Sequence, residues 1–313
     1  MKNDFHVAVE TKEDAIHLGD RGGRFHGFVV SLLAMSGLKK KHLDTLTGIE
    51  GMGVYGQAFT HISVHPDKNY EFLEILGDST CNKCVVWYIK DRFPQLQNPE
   101  GVKVIARLRI NLVSKKNFAA LAEKLGFGEY ISCDREIREQ RGRSLLEDVF
   151  EAFIGATEML VDRLLAEGSG YYICFRLLRA IFDELTISLR YEDLYDPITR
   201  LKETFDFFRQ HNHYPQNGII WGTMLWENSK RDNSQVVSLY QFDKNSNRRK
   251  LLMTAEAPVL DEAKQLAATR FLQILHQQGY KRPIPEYYAR IAAAATAAED
   301  SRTRPGSSGA RTG

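Results

Sequence analysis

Three carboxylates and a glycine fall within the short stretch from Asn69 to Ser79, which constrains the fold of this chain more than any other stretch. The acids are Glu71, Glu74 and Asp78. Because a helix turns by roughly 100° per residue, it places these three side chains within about 60° of arc on one face. Like charges on one helical face repel, and Gly77 costs about 1 kcal/mol relative to alanine inside a helix. A stretch that opposes helix preferences twice indicates a functional site.

A second acidic pair lies in the stretch from Ser144 to Ala156. Asp148 and Glu151 are three residues apart and share one helical face, whereas apolar side chains cover the opposite face. Two such helices can pack with their acids meeting at one rim. Converging carboxylate oxygens are the ligands that hard divalent cations prefer, Mg²⁺ above all. The two stretches therefore predict a site for one or two Mg²⁺ ions.

Both stretches resemble signature motifs of the ribonuclease III family. The stretch 69–79 reads NYEFLEILGDS where the family usually has NERLEFLGDS, and 144–156, SLLEDVFEAFIGA, resembles the family's second acidic motif. Just upstream, QAFTH at 57–61 is similar to the family segment QALTHRS. One departure is Tyr70, which stands where the family has asparagine and affects a hydrogen bond rather than the metal site.

The resemblance implies an Mg²⁺-dependent endoribonuclease, with Mn²⁺ as a substitute ion, that hydrolyses phosphodiester bonds of double-stranded RNA in RNA processing or degradation. It also implies a homodimer in which each site cuts one strand, and we place the dimer contact on the apolar side chains Phe72 and Ile75. Glu71 matches a further acidic position near the site. The residues to which the resemblance assigns catalysis and metal binding are Glu74, Asp78, Asp148 and Glu151.

Residues 24–190 are predicted to form helix after helix, with no alternating strand pattern. Within them, the glycines of 51–56 indicate a loop, and the polar stretch 134–143 indicates a surface loop beside the site. The pattern agrees with an all-α ribonuclease III catalytic domain over 24–190. A poorly ordered N-terminal extension, 1–23, precedes it.

A different pattern follows a boundary at 191–197. A helix beginning at Asp196, three strand-like runs and a final helix give the order α-β-β-β-α. This order over residues 195–282 resembles a double-stranded-RNA-binding domain, a small α+β fold. The predicted strands are 219–226, 236–242 and 250–255, with a long loop over 227–235.

The RNA contacts of this second domain depart from the family it resembles. The usual lysines at the start of the last helix are replaced by Leu260 and Asp261. Residues 195–282 hold 13 Lys and Arg against 9 Asp and Glu, a net charge of +4. A domain retained for protein contacts is the alternative to RNA binding. The basic residues that could contact RNA phosphates are Lys230, Arg231, Arg248, Arg249, Lys250 and Lys264.

Three features of the sequence predict where the protein is located in the cell. The N-terminus lacks a secretory signal, and no run approaches the roughly 18 apolar residues that a membrane span needs. No cysteine spacing indicates a disulfide framework, so core cysteines in a reducing compartment are expected. Cys81 and Cys84 form one CxxC pair, for which a metal or redox role is the alternative. We therefore expect a soluble intracellular protein without a membrane partner, with the cytoplasm favoured and the nucleus open, and a disordered tail over 292–313. The cysteines are Cys81, Cys84, Cys133 and Cys174.

Two other functions remain open. One is a catalytically silent relative that serves as a structural RNA-binding protein of a ribosome or processing complex. The altered C-terminal domain favours it, and the presence of all four acids speaks against it. The other is a different all-helical Mg²⁺ enzyme, such as a nucleotide pyrophosphohydrolase, against which the appended α-β-β-β-α domain argues.

Overall fold

The chain divides into two compact units. The computed structural model describes residues 15–211, 221–243 and 247–303, with side chains to residue 294. The first unit ends at Ile187 and the second begins at Ser188. No helix among the described residues is both long and apolar enough to span a membrane.

The first unit is helical, as predicted, apart from one short pair of strands. The strands β1 (Ile16–His17) and β2 (Cys133–Asp134) are antiparallel. The helices of this unit are α1 (Gly23–Ala34), α2 (Lys40–Leu46), α3 (Ile49–Ala58), α4 (Glu71–Arg92), α5 (Gly101–Leu112), α6 (Lys115–Leu125), α7 (Arg135–Leu164) and α8 (Gly170–Asp183), with 3₁₀ turns at Pro94–Leu96 and Phe127–Tyr130.

Helices α4 and α7 cross in backbone contact, and two glycines make the crossing possible. A Cβ atom added at Gly77 would lie 1.8 Å from the carbonyl oxygen of Glu151, and one at Gly155 would lie 2.1 Å from that of Leu73. Any larger residue would push the helices apart. The glycine that the sequence presents as a helix penalty is therefore a packing requirement.

Buried aromatic side chains form much of the core around this crossing. The Phe59 and Phe127 rings lie 5.3 Å apart, and the Phe118 and Phe150 rings lie 4.9 Å apart. All four cysteines are buried and form no disulfide, which confirms them as core residues. The largest fully buried aromatic side chains of this unit are Phe25, Tyr55, Phe59, Tyr70, Phe118, Phe127, Phe150, Phe153 and Phe182.

The last residues of the predicted N-terminal extension, 15–22, are ordered. Residues 15–22 are held by the β1–β2 pairing and by the Arg21 guanidinium. Arg21 donates hydrogen bonds to the Phe59 carbonyl oxygen at 3.0 Å and to Ser132 Oγ at 3.1 Å. The expectation of poor order is therefore wrong for these residues, while residues 1–14 lie outside the described part of the chain.

Two predicted loops of the first unit are helical. The glycine-containing stretch 51–56 lies inside α3, where Gly51 packs against Leu46 so closely that an added Cβ would lie 1.8 Å from its carbonyl oxygen. Residues 135–143 form the start of α7, which Asp134 caps by accepting a hydrogen bond from the Glu136 backbone N–H at 2.8 Å. A non-helical φ of −123° at Arg141 marks a kink.

The second unit contains a three-stranded antiparallel sheet of order β3-β4-β5, with two helices packed on one face. The predicted α-β-β-β-α order is present as α10-β3-β4-β5-α11. Leu201 and Phe205 of α10, Leu239 of β4, and Phe271 and Leu275 of α11 form its core. The elements are α9 (Tyr191–Leu194), α10 (Pro197–Gln210), β3 (Thr223–Arg231), β4 (Ser234–Asp243), β5 (Arg248–Ala257), α11 (Leu260–Gln277) and α12 (Glu286–Thr303).

The long loop predicted over 227–235 is a tight hairpin. Strand β3 continues to Arg231, which pairs with Ser234 at the start of β4. Asp232 takes the left-handed conformation, with φ 51°, that a two-residue hairpin turn requires and that aspartate tolerates better than most residues. The polar side chains of this stretch therefore lie on strand ends.

The first part of the predicted disordered tail is helical. Helix α12 runs to Thr303, and its alanine run explains why, since alanine has the highest intrinsic helix propensity. The expectation of disorder is thus wrong for residues 292–303. Residues 304–313 lie outside the described part of the chain.

Candidate active site

The crossing of α4 and α7 brings the two acidic stretches together. Helix α4 carries Glu74 and Asp78, and helix α7 carries Asp148 and Glu151. Asp148 and Glu151 are only 7% and 5% exposed. Charged groups of this kind are almost never so buried without a partner, so their burial sets this part of the molecule apart. Glu71 begins α4 as an exposed acid at the edge.

The carboxylates act on one another electrostatically. Burial, together with the charges of Asp78, Glu147 and Glu74, raises the pKa of Glu151 to about 8. Burial, followed by the charge of Asp148, raises the pKa of Glu74 to about 7. This repulsion between acids of two different helices follows from the crossing of α4 and α7, which brings the helices into backbone contact.

Hydrogen bonds orient two of the four acids. The Tyr70 hydroxyl donates to Asp148 Oδ2 at 3.0 Å, and burial and the Asp148 charge raise the pKa of Tyr70, so the phenol remains a donor. Asn82 Nδ2 donates to Asp78 Oδ1 at 2.8 Å. Arg109 Nη1 in turn donates to Asn82 Oδ1 at 2.9 Å, which fixes the orientation of the amide.

A fifth acid, Glu147, borders the site and was not identified from the sequence. Its Oε2 lies 2.6 Å from Lys115 Nζ. Burial nevertheless raises the pKa of Glu147, with Lys115 opposing the shift. The charges of Asp148 and Asp78 add to this effect, so Glu147 belongs to the same electrostatic cluster.

His61 packs beside Tyr70 and makes local contacts. It is 5% exposed, and its ring lies 5.6 Å from the Tyr70 ring in an edge-on arrangement. Its Nδ1 lies 2.8 Å from Ser63 Oγ and accepts a hydrogen bond from the Ser63 backbone N–H at 3.0 Å. Burial lowers the pKa of His61. The histidine therefore packs against the Tyr70 ring and helps to hold it in position.

The oxygen donors of the site suit a hard divalent cation, although the side chains are not turned toward one point. Among the described residues, no three Asp, Glu, His or Cys side chains converge as a metal cluster. Asp148 is turned to Tyr70, Asp78 to Asn82, and the remaining carboxylates repel one another. Rotation of these side chains would be needed to bring their oxygens onto one ion. The chemistry of the donor set fits Mg²⁺ or Mn²⁺, since the candidate ligands are all carboxylates.

The basic side chains predicted to contact RNA fall into groups that the sheet keeps apart. Lys230 and Arg231 lie at the end of β3. Arg248 to Lys250 begin β5, at the opposite end of the sheet, where β3 starts. Strand β3 is nine residues long, so the groups are separated by roughly 26 Å. The structure does not bring them together as one surface.

Two of these arginines are paired with acids. Arg249 Nη1 lies 2.5 Å from Glu227 Oε1. Arg231 Nη1 lies 3.8 Å from Glu256 Oε2. Lys264 lies in the second turn of α11, a helix whose first turn is acidic. Their contribution to RNA binding remains a prediction.

The apolar pair predicted to form a dimer contact lies exposed on α4. Phe72 is 65% exposed and Ile75 is 67% exposed. Three residues separate them, so they are neighbours on the helix surface. Their exposure makes them available to a second chain.

The part of the chain that carries the acids matches a known family. The Ribonuclease III domain family matches residues 71–159, a range that contains Glu71, Glu74, Asp78, Glu147, Asp148 and Glu151. A protein of Invertebrate iridescent virus 6 named "Putative ribonuclease 3" is 34% identical over 272 residues, 83% of this chain and 90% of that protein. A protein of the same name from Frog virus 3 (isolate Goorha) is 34% identical over 258 residues, 82% of this chain and 64% of that protein. The solved nuclease domain of ribonuclease III from Campylobacter jejuni is 27% identical, with a TM-score of 0.36, over 50% of this chain and 99% of that domain.

Proposed function

Because this chain belongs to the ribonuclease III family, we propose that it is a divalent-metal-dependent endoribonuclease that hydrolyses the phosphodiester bonds of double-stranded RNA. The observation that carries the proposal is that acids of α4 and α7 lie close together where the two helices cross at Gly77 and Gly155. There the acids raise one another's pKa values. The proposed metal ligands are Glu74, Asp78, Asp148 and Glu151. Glu71 and Glu147 add negative charge at the edge.

The residues of the chain prepare this site for a cation. Bound Mg²⁺ or Mn²⁺ would supply charge stabilisation and an activated water, as divalent ions do in phosphodiester hydrolysis. Tyr70 holds one carboxylate of the set through its hydroxyl, and Asn82 holds another. Because Asp148 and Glu151 are buried, water would screen their attraction to a bound cation less than it does at the surface.

The second unit supports an RNA substrate in duplex form. Its α-β-β-β-α order resembles a double-stranded-RNA-binding domain, and its 13 Lys and Arg exceed its 9 Asp and Glu over residues 195–282. Duplex RNA is recognised mainly through its shape, its phosphates and its 2′-hydroxyl groups. We infer that the separated basic groups at the two ends of the sheet contribute phosphate contacts.

The deciding experiment is a cleavage assay on long double-stranded RNA with Mg²⁺, beside single-stranded RNA and a nucleoside triphosphate. Glu151→Gln and Asp148→Asn should each abolish cleavage while duplex binding survives, because these acids hold metal rather than RNA. Glu139→Gln is the matched control, since Glu139 is an exposed acid on the same helix. Ca²⁺ should support binding without cleavage, because its looser coordination misplaces the attacking water.

Three results would contradict this proposal in different ways. Full activity of the Glu151→Gln protein would refute the site. Duplex binding without cleavage by the parent would indicate a structural RNA-binding protein. Hydrolysis of the nucleoside triphosphate alone would indicate a nucleotide pyrophosphohydrolase.

A further inference from the structure

The second unit contains a basic cavity that is separate from the sheet. The cavity has a volume of about 300 Å³ and is lined by residues of α9, α10, α11 and the segment 281–284. None of its lining residues belongs to β3, β4 or β5. The cavity is therefore separate from the basic residues of the strands that were predicted to contact RNA. Its polar lining residues are Tyr191, Glu192, Arg200, Thr204, His276, Lys281 and Arg282.

One arginine of the cavity is already neutralised. Arg282 donates hydrogen bonds to Glu203 and to the Tyr191 hydroxyl. The Tyr191 hydroxyl also donates to Glu203. Both bonds to Glu203 end on its Oε2, so Arg282, Tyr191 and Glu203 form one paired cluster at the side of the cavity.

Two further cations of the cavity have no acidic partner among the residues that the structure describes. Arg200 Nε is buried without a hydrogen-bond partner, and Lys281 forms no ion pair. Both line the cavity together with His276. Burial, followed by the charges of Lys281 and Arg200, lowers the pKa of His276. A buried donor without a partner costs free energy, and like charges gathered around a cavity add to the cost. An anion in the cavity would remove the repulsion between these like charges.

We propose that this cavity binds a phosphate group of RNA through Arg200, Lys281 and His276. The proposal rests on the proposed action on RNA. A guanidinium is suited to phosphate because its planar N–H groups match two phosphate oxygens, and an ammonium adds a point charge. The cavity is larger than a phosphate group, which leaves room for the attached ribose and for water.

The test measures binding of duplex RNA to the full chain in EDTA by fluorescence anisotropy. Arg200→Gln and Lys281→Gln should each weaken binding about tenfold, the loss expected for one charge-assisted hydrogen bond. Each should also flatten the dependence of affinity on salt by somewhat less than one unit of slope. Lys202→Gln is the matched control, because Lys202 is an exposed cation on α10 outside the cavity lining. It removes the same charge and should bind nearly as the parent does.

Two forms of the probe distinguish the source of the phosphate. One duplex carries 5′-phosphates and the other carries 5′-hydroxyl groups. A loss confined to the phosphorylated duplex would identify a terminal phosphate, whereas equal losses on both would identify a backbone phosphate. Either result supports the proposal.

Parental affinity of both variants on both duplexes would overturn it, as would a loss equal to that of the Lys202→Gln control. Failure of the parent to bind either duplex would overturn it too. Lys281→Gln keeps the test valid if Arg200→Gln does not fold, because Lys281 is exposed and lies outside the helices. Cleavage activity is a separate readout. If both variants bind duplex RNA more weakly but the parent does not cleave it, only the nuclease proposal is contradicted. If the parent cleaves duplex RNA but both variants bind it as tightly as the parent does, only the cavity proposal is contradicted.

Discussion

The Tyr70 hydroxyl is placed to fix the orientation of Asp148 before any cation arrives. Removing it with Tyr70→Phe keeps the buried ring and deletes only the 3.0 Å hydrogen bond. Partners that orient metal-binding side chains typically contribute 10- to 100-fold to activity or metal affinity. We expect roughly tenfold slower cleavage at low Mg²⁺, partly recovered at high Mg²⁺, and weaker Mn²⁺ binding by the variant measured by calorimetry.

Tyr55→Phe controls for the loss of a buried phenol hydroxyl. Tyr55 is fully buried, and its hydroxyl lies 3.3 Å from Thr157 Oγ1 rather than from a site carboxylate. It should leave the Mg²⁺ dependence unchanged. Identical Mg²⁺ dependence of the Tyr70→Phe protein and the parent would show that Asp148 needs no such support.

The raised pKa values of Glu74 and Glu151 predict how stability depends on pH without metal. Their folded-state pKa values, about 7 and about 8, exceed the ordinary value of 4.5. Between pH 4.5 and 8 the folded state therefore holds protons that the unfolded state has released. Stability must fall as pH rises through this window. In EDTA, the melting temperature should be lower at pH 8.5 than at pH 6.

Two comparisons check the origin of this pH effect. Glu151→Gln should reduce the difference between the two pH values, since it removes a titrating charge from the cluster. Mg²⁺ should raise the melting temperature most at pH 8.5, where the carboxylates are ionised. The same pH difference in the Glu151→Gln protein and the parent would place the effect elsewhere.

The sequence predicts which acids the crossing of α4 and α7 brings together, but it does not predict all of their hydrogen-bond partners. Helical spacing alone identifies acids on one face, because residues three and four apart are neighbours. The contact between Tyr70 and Asp148 joins residues 78 apart, which no local pattern records. Asn82 is different: it lies four residues after Asp78 on α4, so the same spacing rule could have identified it.

At the scale of the helices, the crossing of α4 and α7 depends on the absence of a Cβ atom. Gly77→Ala would place that atom 1.8 Å from the Glu151 carbonyl oxygen, which the backbone cannot yield without moving a helix. Overpacking of this kind costs about 1–3 kcal/mol or more, and it would also separate the acids. We expect urea unfolding to show that loss, together with weaker Mg²⁺-dependent activity.

Gly53→Ala provides the opposite case. Gly53 is exposed inside α3, and no heavy atom outside its own helix lies within 4 Å of an added Cβ. It should stabilise the protein by up to about 1 kcal/mol through helix propensity. A Gly77→Ala protein as stable as the parent would show that the crossing tolerates a side chain.

The glycines of α3 and the polar first residues of α7 account for the two predicted loops that are helical. Glycine usually marks a turn, but Gly51 and Gly77 permit helices to approach other backbone, which only tertiary structure reveals. The polarity of the stretch 134–143 predicts a loop. Its Arg, Glu and Gln are good helix formers, and Asp134 is a strong N-cap, so the local signal for a helix was present.

At the scale of the whole molecule, an apolar surface on α4 predicts that two copies act together. The exposed apolar pair on α4, Phe72 and Ile75, predicts a homodimer, because a two-fold axis would cover the same surface on both chains. The net charge of +2 opposes association only weakly. Sedimentation equilibrium of the full chain at micromolar concentration should show a dimer.

Phe72→Glu should shift that equilibrium to monomer, since it buries a charge in an apolar contact and repels its copy across the axis. Ile49→Glu is the matched control, because Ile49 is 98% exposed on α3 and lies outside the proposed contact. It should leave the dimer intact. A monomeric parent that cleaves duplex RNA at the full rate would contradict the dimer and leave Phe72 and Ile75 without this role. A dimer that survives Phe72→Glu would place the contact on another surface.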